Sequence, residues 1–426
     1  MITEEQTEML VERLVSRIEK ANTYFLMSIG SSVKQIRNLT PSQAQQLIQI
    51  LKYNGDYEEI IQEIAKYTNL NIKDIDEIFS AYAKKDQMFY EKFYKYKNIP
   101  FVPYEQNIAL QNQTKALANI VKNEMYNFTR SNVLGYTIRD LKGRPQFYGL
   151  RETYNRVLDE ALVNVGTGKE SFDSAMTRIM QDIGGSGLKT IEYESGRSMR
   201  LDSAVRMHLK ENLRLLHNEL QDIYGKEFNA NMVEVSHHSN SAPDHIDTVD
   251  GKQFARIDVI REQIKNGIEK EIKLEDIQKN RVKVKGKWYD DFDTINNNLA
   301  RPVSTLNCYH YIFSGILGVT EPEYTKKELQ EDKENNLKGC EIDGKHYTLY
   351  EASQLCRQFE RKIREQKDIQ ILGKSSNNLE LISNSQMKIT YLTRKYKEVC
   401  DISGLPYKAK RLAVVGYKRA NVKKLK

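Results

Sequence analysis

The chain has 426 residues, 39% apolar and 29% charged, with a formal net charge of +7. A single core rarely grows past about 250–300 residues, so two or three domains are expected. The balance of apolar and charged residues excludes collagen-like, low-complexity and disordered classes.

The chain opens with "MITEEQTEML", acidic where a secretory leader is basic and then apolar. A cytosol-like compartment of synthesis is therefore expected. Thr3 and Gln6 form a capping box ahead of Leu10, Leu14 and Ile18, which share one helical face. Thr40 caps a second helix with Pro41 in its first turn, and Asn54-Gly55 ends it before another begins. An amphipathic stretch from Ile72 to Tyr96 completes the set, and Pro100 and Pro103 break it. The result is a helical N-terminal region, residues 1–105.

Residues 106–325 read as a central α+β domain. Its first part, residues 111–224, keeps a helical period throughout. Two helices joined at Gly166-Thr167-Gly168 close on Gly184, Gly185 and Gly187. A long helix then runs from Tyr193 to Gly225, with Leu201, Val205, His208, Leu215 and Leu216 towards its apolar side. Neither His208 nor His217 has a partner four residues on, so both read as surface or packed histidines rather than ligands.

After Gly225 the pattern changes. "MVEVSHH", "GKQFARI", "KVKGKWYDDF" and "STLNCYHYIF" read as short strands or hairpins, giving a small sheet with long connections over residues 228–320. The fold class is therefore α+β, predominantly helical. The longest apolar run, "YIFSGILGV", falls short of the roughly 20 residues of a membrane span, so no membrane partner is expected.

Residues 326–426 return to the helical period as a C-terminal basic helical hairpin or coiled-coil arm. Thr348 and Glu351 form a capping box, Leu349, Ala352, Leu355, Phe359 and Ile363 make one face, and Glu360 and Arg364 read as an i,i+4 ion pair. A second helix starts near Ser385. The four cysteines, Cys308, Cys340, Cys356 and Cys400, contain no C-x-x-C pair and suit reduced thiols.

From Lys388 onward, twelve Lys/Arg face two acids, Glu398 and Asp401, so the last segment carries +10 and the remainder of the chain −3. Tyrosines are interleaved with these cations. Lys388, Arg394, Lys395, Lys397, Lys408, Lys410, Arg411, Lys418, Arg419, Lys423 and Lys424 are the candidate phosphate-facing residues for non-specific contact with double-stranded DNA. No base-reading motif is present, so sequence-specific recognition is not expected.

The densest chemistry lies in "SHHSNSAPDHIDTVDGKQF", Ser236 to Phe254, where His237, His238, Asp244, His245 and Asp247 are candidate ligands, with Cys308 and His310 some sixty residues on. His238, His245, Cys308 and His310 would make a chemically reasonable tetrahedral zinc set, since C-x-H on a strand points both side chains to one face. The spacing matches no compact finger pattern. Hydrogen bonding of the same side chains to one another and to the turn backbone is the alternative. A third reading is a metal-dependent nuclease using His238, His245 and Asp247, with His245 as base and Asp247 or Asp250 on the metal. It has no run of paired carboxylates behind it.

Glu234, Ser236, His238, Pro243, His245, Gly251 and Lys252 resemble the loop of the phage minor capsid protein 2 family. The likeness continues in order through Tyr193 to Arg206 ahead of the loop, then "NCYH" at Asn307 to His310, "FSGILGVTEPEYT", and "YTLYEASQLCRQFERKIREQK". The family is similar in these elements to the phage Mu F-protein head-morphogenesis family. The resemblance implies a low-copy virion protein inside the head near the portal. Head assembly and DNA packaging or ejection would be its work, and portal, major capsid or other head proteins its partners. The chain has Ala242 where relatives commonly carry an arginine, and Asp250 where a glutamine often stands, so no role resting on that arginine is carried over. His238, His245, Cys308 and His310 remain, which favours a shared structural site, with or without one zinc, over a catalytic one.

Overall fold

A computed structural model describes residues 4–53, 56–68, 72–140, 142–167, 171–191, 196–305 and 308–421. Thr3, Asn54, Gly55, Gly168, Asn307, Lys423 and Lys424 lie outside the described residues. Among the described residues there are fourteen α-helices and several small antiparallel sheets. None of these helices is long and apolar enough to cross a membrane.

The N-terminal helices form where the periodicity places them: Glu4–Ile36, Pro41–Tyr53, Asp56–Thr68 and Ile72–Lys97. Leu14 and Ile18 are buried on the first. At Thr40 the box partner is Gln43, whose Oε1 accepts from the Thr40 amide at 3.0 Å. Helix resumes only at Ile108–Thr129, after the two prolines.

The chain forms two compact units, each assembled from three separated stretches. One comprises Met1–Val11, Lys73–Val121 and Met207–Ser353. Its centre is a three-stranded antiparallel sheet in the order Gln253–Ala255, Met232–Val235, Ile312–Gly315. Alternation along the middle strand sends its side chains to two cores. Met232 joins Ala255, Ile260, Val282 and Leu317, while Val233 and Val235 join Val249, Phe254 and Phe292. The hairpin Arg281–Val284 with Lys287–Asp290 turns through Lys285 (φ 47°) and Gly286 (φ 82°), the two left-handed residues of a type I′ turn. The segment expected to be extended as far as Ile257 is strand at Gln253–Ala255, and a helix, Ile257–Lys265, takes over at its last residue.

The other unit comprises Glu12–Ile72, Lys122–Arg206 and Gln354–Lys426. Here the wholly helical reading of residues 111–224 is corrected. A four-stranded antiparallel sheet runs in the order Pro145–Gly149, Leu134–Arg139, Lys189–Ile191, Ser198–Arg200. The predicted helix pair is present as Leu150–Thr167 and Phe172–Ser186, with Gly166 and Thr167 still helical. The long helix begins at Leu201, after the strand Ser198–Arg200, and ends at Phe228, while Tyr193 lies outside the described residues. Its Leu201, Val205 and Leu216 are buried, while Leu215 is 43% exposed and lies off the apolar face.

The C-terminal arm is an antiparallel αα-hairpin of Leu349–Ser375 and Leu379–Ser403. Cys356 Sγ meets Cys400 Sγ at 3.9 Å, Tyr396 donates to Glu360 at 2.7 Å, and Gln370 donates to Gln386 at 3.0 Å. The Thr348–Glu351 box forms in both directions, at 2.9 and 3.2 Å. The expected Glu360–Arg364 ion pair is replaced by longer-range partners. Glu360 takes the Tyr396 hydroxyl, and Arg364 reaches Asp202 at 2.5 Å. Beyond the hairpin the backbone is held in place: Thr23 donates to the Val415 carbonyl at 2.8 Å and Tyr417 to Gln386 at 3.2 Å.

Candidate functional site

Loop and strand entry bring the chemistry of the first unit together. Ala242 precedes a short helix, Pro243–Ile246, whose first-turn proline fixes its start and whose third residue is His245. The amides of Thr248, Val249 and Asp250 all point at the His245 carbonyl, at 3.1, 3.0 and 3.1 Å, which curls the loop back on itself. Gly251 then turns it out with φ 66° and delivers Gln253 to the edge strand. From the other side, Cys308 and His310 arrive on an irregular segment that ends where the strand Ile312–Gly315 begins. They are thus not on the strand, as their alternation had suggested, yet both face the loop.

Three of the four candidate ligands converge. His245 Nδ1 lies 3.2 Å from His310 Nδ1, and Cys308 Sγ lies 3.5 and 3.3 Å from these two nitrogens. His245, Cys308 and His310 are 1%, 2% and 3% exposed. The outward nitrogens face acceptors: His245 Nε2 donates to the Arg301 carbonyl at 2.6 Å, and His310 Nε2 donates to Asp250 Oδ1 at 2.7 Å with Ser241 Oγ at 3.1 Å beside it. His238, the fourth candidate, stands beside the group with its ring 4.9 Å from that of His310. Its Nε2 is turned to the Tyr309 carbonyl at 2.9 Å.

Asp250 is the hub, a role the sequence does not show. Its Oδ1 accepts from Ser241 Oγ at 2.7 Å, from the His238 amide at 2.9 Å and from His310, while Oδ2 takes His237 Nδ1 at 2.5 Å. His237 extends the chain through Nε2 to Asp332 at 2.7 Å; burial opposes its proton, but a carboxylate on each nitrogen outweighs this and raises the imidazole above its ordinary value. In the sequence Asp250 stands only as a possible nuclease metal ligand and as a departure from the glutamine of relatives, and His237 only as one of the loop's candidate ligands. Ser241 and Asp332 give no signal.

Burial alone would raise Asp250, but hydrogen bonds from His237, His310 and Ser241 hold it well below the usual carboxylate range. Burial would likewise push the Cys308 thiol up, yet its bonds with His245 and His310 bring it down to about 5. For His310, burial opposes the proton, and Asp250 and Cys308 outweigh it and push the imidazole up to about 9. The metal-free centre therefore holds a thiolate–imidazolium pair at neutral pH.

Other candidates fall elsewhere. His217 is a buried, satisfied histidine, with Nδ1 2.9 Å from Asp86 and Nε2 2.7 Å from the Ile312 carbonyl. Asp247 faces Lys333 at 2.5 Å on the surface, its side chain 60% exposed. Of the basic residues, Lys388, Arg394, Lys397, Lys408, Lys410, Lys418 and Arg419 are exposed. Lys395 and Arg411 are half-buried, near Glu398 at 3.2 Å and Glu360 at 3.8 Å.

The described residues thus form a helical α+β chain with a buried histidine–cysteine–aspartate centre and a basic terminal hairpin. The model of the family described as phage minor capsid protein 2 matches residues 2–401, nearly the whole chain, and the protein belongs to that family. It is a phage head protein of the virion. No curated protein and no solved structure matches the chain.

Proposed function

We propose that the protein is a low-copy component inside the head at the portal, acting in head assembly and in the packaging or ejection of DNA. The N-terminal helices dock on portal, major capsid or other head proteins, and the C-terminal arm touches double-stranded DNA without reading its sequence. The supporting observation is the arm itself. Its exposed Lys388, Arg394, Lys397, Lys408, Lys410, Lys418 and Arg419 are accompanied by exposed Tyr391 and Tyr407 on one hairpin and the segment that follows it. Cations arrayed this way release counterions from phosphate, and rings add packing surface.

The nuclease reading draws less from the geometry. A phosphodiester would reach Asp247 on the surface but not His245, which is 1% exposed and bonded to the Arg301 carbonyl.

Quantitative mass spectrometry of purified virions tests the proposal. Abundance close to that of the portal protein and far below that of the major capsid protein, with cross-links to portal, is the expected result. A copy number near that of the major capsid protein, or absence of portal cross-links in intact heads, overturns it.

A further inference from the structure

The geometry points to a zinc ion held by three side chains of this protein: His245 through Nδ1, His310 through Nδ1 and Cys308 through Sγ. Tetrahedral zinc with bonds of about 2.05 Å to nitrogen and about 2.3 Å to sulfur sets its ligands about 3.3 Å apart for N···N and about 3.6 Å for N···S. The triangle here has edges of 3.2, 3.3 and 3.5 Å. These three atoms form the one group among the described residues whose ligand atoms all lie within 4.8 Å of one another.

The outer contacts support the same assignment independently. A metal-bound imidazole normally gives its other N–H to a carboxylate or a backbone carbonyl, which fixes the tautomer and leaves the inward nitrogen bare. His310 gives Nε2–H to Asp250, and His245 gives Nε2–H to the Arg301 carbonyl. Asp250 is itself fixed by Ser241, His237 and the His238 amide. One thiolate with two imidazoles prefers zinc to magnesium or calcium, which take oxygen ligands.

His238 is not a ligand in this arrangement, and water takes the fourth position. The ion would tie the loop carrying His245 to the segment carrying Cys308 and His310, adding to the hydrogen bonds, the Arg301–Asp244 ion pair and the shared core of Val249 and Val303 that already join the two stretches.

The test uses the full chain, first assayed for zinc as purified, then stripped with chelator and titrated with Co(II) as a spectroscopic probe. About one equivalent of zinc is expected, and Co(II) should give intense tetrahedral d–d bands with a thiolate charge-transfer band in the near ultraviolet. Both Co(II) features should persist in His238→Ala, and the charge-transfer band should vanish in Cys308→Ser. No zinc and no tetrahedral cobalt spectrum in the folded wild type would overturn the assignment, a result that needs no variant to fold. Loss of the site in folded His238→Ala would overturn the three-ligand form.

Discussion

Arg200 and Asp368, 168 residues apart in sequence, meet at 3.0 Å around a carboxylate with no solvent exposure. Arg200 also reaches Asp202 at 3.2 Å, and Arg364 reaches the second oxygen of Asp202 at 2.5 Å. Two cations and two anions thus share one buried site that the strand Ser198–Arg200 and the helix Leu349–Ser375 close from distant parts of the chain. Removing one member strands the rest. Arg200→Ala is expected to destabilise this unit by about 3–5 kcal/mol, whereas Arg200→Met with Asp368→Leu recovers most of the loss. Thermal melts of the two variants against wild type check both halves.

The same site predicts a pH dependence. Burial and the neighbouring Asp202 raise Glu19 from 4.5 to about 7, and burial raises Asp368 from 3.8 to about 6. A carboxyl raised in the fold binds its proton more tightly there than in the unfolded chain. Its stabilising contribution is therefore complete below the unfolded value and is lost as pH rises through the folded one. Asp202 has the opposite sign: burial would raise it, but Arg200 and Arg364 hold it low, so its contribution is lost in acid. Melting temperature should fall between about pH 4.5 and about pH 7, and Glu19→Gln should flatten that slope. An unchanged slope in the variant would refute the assignment to Glu19.

Gly251 sits at φ 66°, where an added Cβ would meet Leu329 Cδ2 and, at 3.2 Å, His237 Cβ. Gly251→Ala therefore combines a left-handed backbone cost of about 1–2 kcal/mol with displacement of His237 from Asp250. Lower stability is expected, together with a changed histidine signal in the imidazole region of the NMR spectrum. Ala at the solvent-facing Gly267, also left-handed at φ 69° but with nothing nearby, should carry the backbone cost alone.

For the arm proposed to contact DNA, deletion is a poor test, since Ile389, Tyr396, Val399 and Cys400 are buried in the hairpin. Replacing Lys388, Arg394, Lys397, Lys408, Lys410, Lys418 and Arg419 with glutamine leaves that core intact. Each lost phosphate contact should lower the slope of log affinity against log salt by about 0.9, with little dependence on DNA sequence. Filter binding at several salt concentrations reads this directly. An unaltered slope would remove the arm from DNA contact.

The helices were legible because period and caps agreed, as at Thr40-Pro41 and Thr348–Glu351. The four-stranded sheet was not. Lys189–Ile191 and Ser198–Arg200 are three residues each, too short for a period of two to register beside strong helical neighbours. The turn at Asp140 to Gly143, ahead of Pro145, was the available clue to Leu134–Arg139 and its partner. In the site, the chemistry of His245, Cys308 and His310 announced itself by residue type. The role of Asp250 as a shared acceptor did not, because an aspartate before a glycine reads as ordinary turn chemistry, and only the fold shows that it accepts from Ser241, His237 and His310. Charge pairing failed at Glu360 and Arg364 for a related reason. Neighbours one turn apart on a helix are offered long-range partners that sequence spacing cannot show.

The interleaving of the two units sets the order in which they can form during synthesis. The first closes only when Ser353 has been made, and the second waits for the stretch from Gln354 onward to join segments translated far earlier. Until then the apolar faces of Leu14, Phe25 and Tyr136 are without their full complement of neighbours. A ribosome stalled in the middle of this message releases neither unit whole, so quality control acts on the chain as one piece.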